Sequence, residues 1–344
     1  MTFMEKEIFE QSSTLKQSLL INEKTLSIIK SELKERKIRT VIFSARGSSD
    51  NTGVYFKYMC EVYCNIPVSL AAPSVFTLYK SDLDFTDTLV IGVSQSGEAK
   101  DVLAVIEAAN KQHAYTITIT NYPNSPLAKA GCQHMVLGVG EEKSVAATKT
   151  FTAQLYLLGL LAATMSDNES LYEGFKNIPL SLSLVLEKAD EIKRIAKLLS
   201  KKLDCFVLGR GFQYAIAKEI ALKLQETTYM KALSFAISDF YHGPFALADA
   251  NSNFIIIAPK DETWENSQQI IEDLKKLNSH ILVITDDVHF TDDYCQYLTI
   301  PIQSVYGFPF LSIVAGQLLA LHISLEKGLN PDVPRSLNKV TITV

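Results

Sequence analysis

The chain reads as an α/β protein made of two tandem units, each a parallel, doubly wound sheet flanked by helices. Three observations carry this expectation. Short apolar, β-branched runs alternate with helix-like segments at the spacing that βαβ crossovers require. Several of these runs break at once into loops of small, hydroxyl or charged residues, as strands do at their carboxyl ends. The order of runs and loops in the first half then recurs in the second, as an internal duplication would produce.

Taken in order, residues 1–36 carry helical periodicity (Ile8 and Phe9, Leu15, Leu19 and Leu20, Ile28, Ile29 and Leu33) and predict two N-terminal helices. The first unit spans 37–166. It opens with the strand Thr40–Ser44, a loop through Ala45, Arg46, Gly47, Ser48, Ser49 and Asp50, and a helix from about Thr52. Short strands at Val68 and Met135, the strand 89–94, the strand Tyr115–Thr120 and a long apolar helix from Phe151 complete it. Residues 167–200 form a helical connector broken at Ile178 and Pro179. The second unit, 201–329, repeats the device at Cys205–Leu208, Phe254–Ala258 and His280–Thr285, with a helix Tyr214–Met230 between. The remainder, 330–344, is a tail.

The stretch Leu89–Asp101, LVIGVSQSGEAKD, is the organising element. A buried strand delivers Ser94, Gln95, Ser96 and Gly97 to the sheet's carboxyl edge, where open α/β sheets bind ligands. The helix that follows points free N–H groups and the positive end of its dipole at that loop, which favours an anion, phosphate first. In the second half the corresponding residues are Ala258, Pro259, Lys260, Asp261 and Glu262, without the serines or the glycine. The first half is therefore expected to hold the phosphate.

With 47% hydrophobic and 21% charged residues and a net charge of about −5, the composition is that of a soluble globular protein with no basic block suited to nucleic acid. No run of eighteen apolar residues suggests a membrane span, and the charged N-terminus lacks a signal peptide's apolar core, so the expected location is cytoplasmic. Five cysteines without a CxxC pair predict reduced thiols, and Cys60 and Cys64 have no His beside them to make a metal site.

Three groups carry candidate chemistry. On the helix 214–230, Glu219, Lys223 and Glu226 share a face: either a solvated charged stripe or, lining a cleft, a carboxylate base tuned by a neighbouring ammonium. His242, in the Gly-Pro turn DFYHGPFAL, is a candidate proton shuttle. Lys339 lies in the tail NPDVPRSLNKVTITV, whose alternating end suggests that it docks; a docked Lys339 is a candidate amine nucleophile toward a carbonyl.

The segments ARGSS (45–49), SQSGE (94–98), SVAATK (144–149), LGRG (208–211), ALKLQE (221–226), HGP (242–244) and PRSLNK (334–339) together resemble the sugar isomerase (SIS) family. Within it the chain is most similar to the isomerase half of glutamine:fructose-6-phosphate aminotransferase and to stand-alone SIS-type glucosamine-6-phosphate deaminases. The resemblance implies two tandem SIS subdomains of flavodoxin-like topology. It implies a sugar 6-phosphate held by the Gly47, Ser48 and Ser49 loop and by Ser94, Gln95 and Ser96, with Val145 and Ala147 in a loop closing over the sugar. It implies Glu226 as the base between C1 and C2, Lys223 stabilising the enolamine, and Lys339 meeting the open-chain carbonyl. His242 would open the ring from the other subunit of a homodimer. The chemistry agrees, since one carboxylate, one imidazole and one ammonium suffice without metal or organic cofactor.

Ala99 and Ala147 stand where the synthase has hydroxyl residues. The chain opens Met1, Thr2 with no glutaminase segment and no N-terminal cysteine, so removal of the amine is the expected direction: glucosamine 6-phosphate to fructose 6-phosphate plus ammonia. ARGSSD and EKSVAATK look more like the deaminases than the synthase. A deglycase for fructosamine 6-phosphates and a non-catalytic sugar-phosphate binder are the alternatives.

Overall fold

The computed structural model describes residues 1–339. In chain order the elements are α1 (Phe3–Phe9), α2 (Gln11–Lys34), β1 (Thr40–Ser44), α3 (Ser48–Tyr63), β2 (Val68–Leu70), α4 (Ser74–Thr77), β3 (Thr88–Val93), α5 (Lys100–Lys111), β4 (Tyr115–Thr120), α6 (Pro126–Ala130), β5 (Gln133–Val136) and α7 (Lys149–Met165). Then follow α8 (Glu169–Lys176), α9 (Ile178–Leu186), α10 (Ala189–Leu199), β6 (Asp204–Gly209), α11 (Phe212–Thr228), β7 (Lys231–Ala236), α12 (Ile237–Tyr241), β8 (Asn253–Ile257), α13 (Trp264–Lys276), β9 (His280–Thr285), β10 (Gln296–Thr299) and α14 (Phe308–Glu326). By internal contacts the chain divides into a unit holding Ser13–Glu142, Lys149–Lys176, Asn338 and Lys339, and a unit holding Met1–Ser12, Lys143–Thr148 and Asn177–Leu337.

The first unit contains a five-stranded parallel sheet of order β2-β1-β3-β4-β5. Strands β3 and β4 are buried at every position, as strands covered by helices on both faces must be. The order reverses between β1 and β3, and their register pairs Ser44 with Gly92, so both strands end at one level. Loops leaving this topological switch point are the ones an open sheet offers to a ligand.

The second unit repeats the scheme: β10-β9-β8-β6-β7, all parallel, is the same order displaced by five strands. The duplication reaches the backbone. Gly47 (φ 56°, ψ −132°) and Gly211 (φ 59°, ψ −131°) cap α3 and α11 in one left-handed conformation, which a residue with Cβ adopts only under strain.

The helix expected from about Thr52 begins at Ser48, so Ser48 and Ser49 belong to its first turn and not to the preceding loop. Helix α14 meets the length and hydropathy of a membrane span (mean hydropathy 1.7), although no uninterrupted apolar run marks it; 94% of the window is buried and it packs on α9, α10 and α11 as a core helix.

Candidate functional site

In the first unit, the switch-point loops are held by their own hydrogen bonds. The Ser94 Oγ accepts from the Gly97 amide at 3.1 Å and the Ser96 Oγ from the Glu98 amide at 3.2 Å. The Ser94 amide donates to the Ile119 carbonyl, and the Gln95 carbonyl accepts from the Asn121 amide. Gly97 has φ 70°, and a Cβ there would lie 2.0 Å from the Ser125 Oγ. A Gly97→Ala substitution is therefore expected to destabilise the fold by about 2–4 kcal/mol in urea titration, and a loss below about 1 kcal/mol would contradict the tight turn.

On the other side of the switch point, the capping residue Gly47 brings no side chain to α3, so its first turn, with Ser48 and Ser49, presents backbone amides and hydroxyls at a positive helix end. Sequence reasoning missed the bond that joins the two loops. Arg46 donates from Nε to Asp101 Oδ2 at 2.6 Å, and Asp101, in the first turn of α5, is 1% exposed. Ala99 caps α5 with no side-chain hydrogen bond, since alanine has no acceptor to offer.

The Lys339 amine ends on Glu142, 2.5 Å from Oε2, within this same unit. Glu142 is wholly buried and also accepts from the Thr150 amide (3.0 Å) and hydroxyl (2.7 Å) at the start of α7. Burial raises a carboxyl group's pKa, but Lys339 and the Thr150 donors more than offset it and hold Glu142 below its ordinary value. The tail lysine is docked. The expected alternating end, 340–344, lies outside the described residues.

In the second unit, the stripe on α11 is not solvated. Lys223 and Glu219 are 0% exposed and Glu226 is 21% exposed. The Lys223 ammonium contacts Glu226 Oε2 and lies 3.3 Å from Glu219 Oε1. Burial favours a neutral amine, yet the two carboxylate charges prevail and Lys223 is held above its ordinary value, a fixed cation. Ile216, Ile220 and Leu224 of the same helix are buried, and Gly316 lets α14 approach so closely that a Cβ would meet Ile220 at 2.3 Å. Of the three charged groups, Glu226 alone keeps an opening to solvent.

His242 ends α12, with its amide on the Asp239 carbonyl, and it is exposed. Among the described residues no hydrogen bond or ion pair joins it to Glu226. Its neighbour Tyr241 stacks on Phe245 and donates to Asp273, so the turn is fixed while the imidazole faces outward.

Burial alternates along the SVAATK loop: Ser144, Ala146 and Thr148 are buried, whereas Val145 and Ala147 are partly exposed. Groups from distant parts of the second unit fasten it. Glu7 of α1 accepts from the amides of Lys143 and Ser144, the Val145 amide donates to the Asp332 carbonyl, and Gln317 of α14 donates to the Thr148 carbonyl. Among the described residues no group of three or more His, Cys, Asp or Glu is placed to hold a metal ion.

Two tandem doubly wound units, one with serine-bearing loops at its switch point and one with a buried carboxylate–ammonium array, define a duplicated α/β protein. A family model for the SIS domain matches residues 34–164 and again 197–327. The chain belongs to the SIS domain family.

A glutamine–fructose-6-phosphate aminotransferase (isomerizing) of Aquifex aeolicus is 33% identical over 346 residues, covering 99% of this chain and 58% of that protein. The Escherichia coli protein of the same name is also 33% identical, with 99% and 59% covered. The chain thus spans somewhat over half the length of these relatives. Among solved structures, the C-terminal domain of glucosamine-fructose-6-phosphate aminotransferase from Francisella tularensis superposes with a TM-score of 0.88 at 27% identity, covering 97% of this chain and 98% of that one. A glucosamine-6-phosphate deaminase from Thermotoga maritima shares the fold with a TM-score of 0.78 at 23% identity, covering 99% and 100%.

Proposed function

We propose that this protein is a phosphosugar isomerase acting on an amino-sugar 6-phosphate, converting glucosamine 6-phosphate to fructose 6-phosphate and ammonia. The observation that carries the proposal is the Glu219–Lys223–Glu226 array. A buried ammonium locked beside a carboxylate that still reaches solvent is the arrangement a proton transfer between adjacent sugar carbons needs. Glu226 removes the proton from C2 of the open-chain sugar and returns it at C1. Lys223 stays protonated and offsets the negative charge that builds up between those events.

The phosphate is assigned to Ser48, Ser49, Ser94, Gln95 and Ser96, and the cover over the sugar to Val145 and Ala147. The ring is opened by His242, supplied by a second copy in a homodimer; its outward-facing turn suits that role. The Lys339 amine adds to the imine left at C2 and displaces its nitrogen as ammonia, and water then hydrolyses the lysine imine to the ketone and restores the amine. The reaction is redox-neutral, and these steps call for no metal or organic cofactor.

Incubation of the purified chain with glucosamine 6-phosphate is expected to release ammonia and fructose 6-phosphate in equal amounts. No turnover there, with lysine released from fructoselysine 6-phosphate, would replace the deaminase by a deglycase.

A further inference from the structure

The proposed reaction leaves one group unused: a carboxylate buried at the start of α7 and joined to the tail. Glu142 is held by the Thr150 amide and hydroxyl, both from its own unit, so its place does not depend on the tail. The positive end of a 17-residue helix favours its charge. The lysine comes from 197 positions away in sequence and keeps a quarter of its side chain exposed.

The two lysines of the proposed reaction are set up differently. Lys223 lies wholly buried between two carboxylates and stays an ammonium ion. Lys339, at the edge of solvent and bonded to a carboxylate that Thr150 fixes independently, has an acceptor aligned for its proton.

We propose that Glu142 is the acid–base partner of the tail lysine: it docks Lys339 as an ammonium ion and takes its proton when a sugar carbonyl arrives. This rests on the reading of Lys339 as the amine that attacks the substrate. The Lys339 ammonium passes one proton to the Glu142 carboxylate. The freed lone pair then bonds to the carbonyl carbon as the C=O π pair moves onto oxygen, and a proton shifts from nitrogen to that oxygen. The Glu142 proton next goes to the carbinolamine hydroxyl, which leaves as water, so that a protonated imine and a carboxylate remain. An ammonium ion and a carbonyl become an iminium ion and water, and Glu142 is regenerated.

The test is borohydride trapping of full-length protein with fructose 6-phosphate, followed by peptide mapping. Wild type is expected to gain a reduced hexose phosphate adduct on Lys339. Glu142→Gln is expected to trap about 100-fold more slowly while its dissociation constant for fructose 6-phosphate changes less than about threefold, and Glu142→Asp recovers part of the rate. Trapping by Glu142→Gln at the wild-type rate would overturn the role of Glu142 and leave Lys339 as the nucleophile. A wild-type enzyme that turns over sugar phosphate yet never labels Lys339 would remove the nucleophile, and this inference with it. If Glu142→Gln fails to fold, Glu142→Asp decides: a trapping rate indifferent to a carboxylate withdrawn by one methylene contradicts an acceptor aligned with the amine.

Discussion

A Glu226→Gln enzyme is expected to bind sugar phosphate with near wild-type affinity and to turn over between about 10²- and 10⁴-fold more slowly. The amide preserves the side chain's size and can still accept from Lys223, so the fold is undisturbed. What it cannot do is receive a proton from carbon. Because the interaction lost exists only as the proton moves, the loss is expected in kcat with KM nearly unchanged. A raised KM at unchanged kcat would instead make Glu226 a substrate-binding residue.

The second large effect is on stability. Replacing Lys223 by Met removes the ammonium from between Glu219, wholly buried, and Glu226. Removing one partner of such a buried array typically costs about 3–5 kcal/mol, because the remaining charge keeps its desolvation penalty without the ion that offset it. The double variant Glu219→Gln with Lys223→Met is expected to regain much of that loss, since both the cation and one buried anion are gone. A Lys223→Met protein as stable as wild type in chemical denaturation would contradict the fixed-cation account.

The direction of the Lys223 shift also fixes a pH window. Its folded value lies above the ordinary 10.5, so its contribution is complete below that pH and is lost as the pH rises through the folded value. Thermal scans above pH 10.5 are expected to show a steeper decline in wild type than in the double variant.

Most of the architecture was legible because strands buried on both faces must be apolar and β-branched. Thr40–Ser44, Tyr115–Thr120 and His280–Thr285 sit in the structure at the limits the sequence predicts. Strands β7 and β10 escaped because they lie at sheet edges, with exposed positions and a mixed pattern. The start of α3 was misplaced for a related reason. Gly47 followed by two serines has the composition of a loop, and only its left-handed φ shows that it caps a helix.

The candidate site was legible in its residue types but not in its wiring. Periodicity set Glu219, Lys223 and Glu226 on one face, yet the same pattern describes a solvated stripe; internal neutralisation is what makes burial tolerable there. Glu142 and Lys339 are too far apart in sequence for any local rule to pair them, and nothing local ties Glu7, Gln317 and Asp332 to the SVAATK loop. The chain's resemblance to a known family supplied the roles; the fold supplied the partners.

Solvent exchange followed by proton NMR tests the central claim most directly. In deuterium oxide, wild-type protein with fructose 6-phosphate is expected to place one deuteron at C1, and Glu226→Gln to place none while still binding the sugar. Exchange at an undiminished rate in Glu226→Gln, or none at all in wild type with any hexose 6-phosphate it binds, would contradict the assignment of Glu226 as the base that carries the proton.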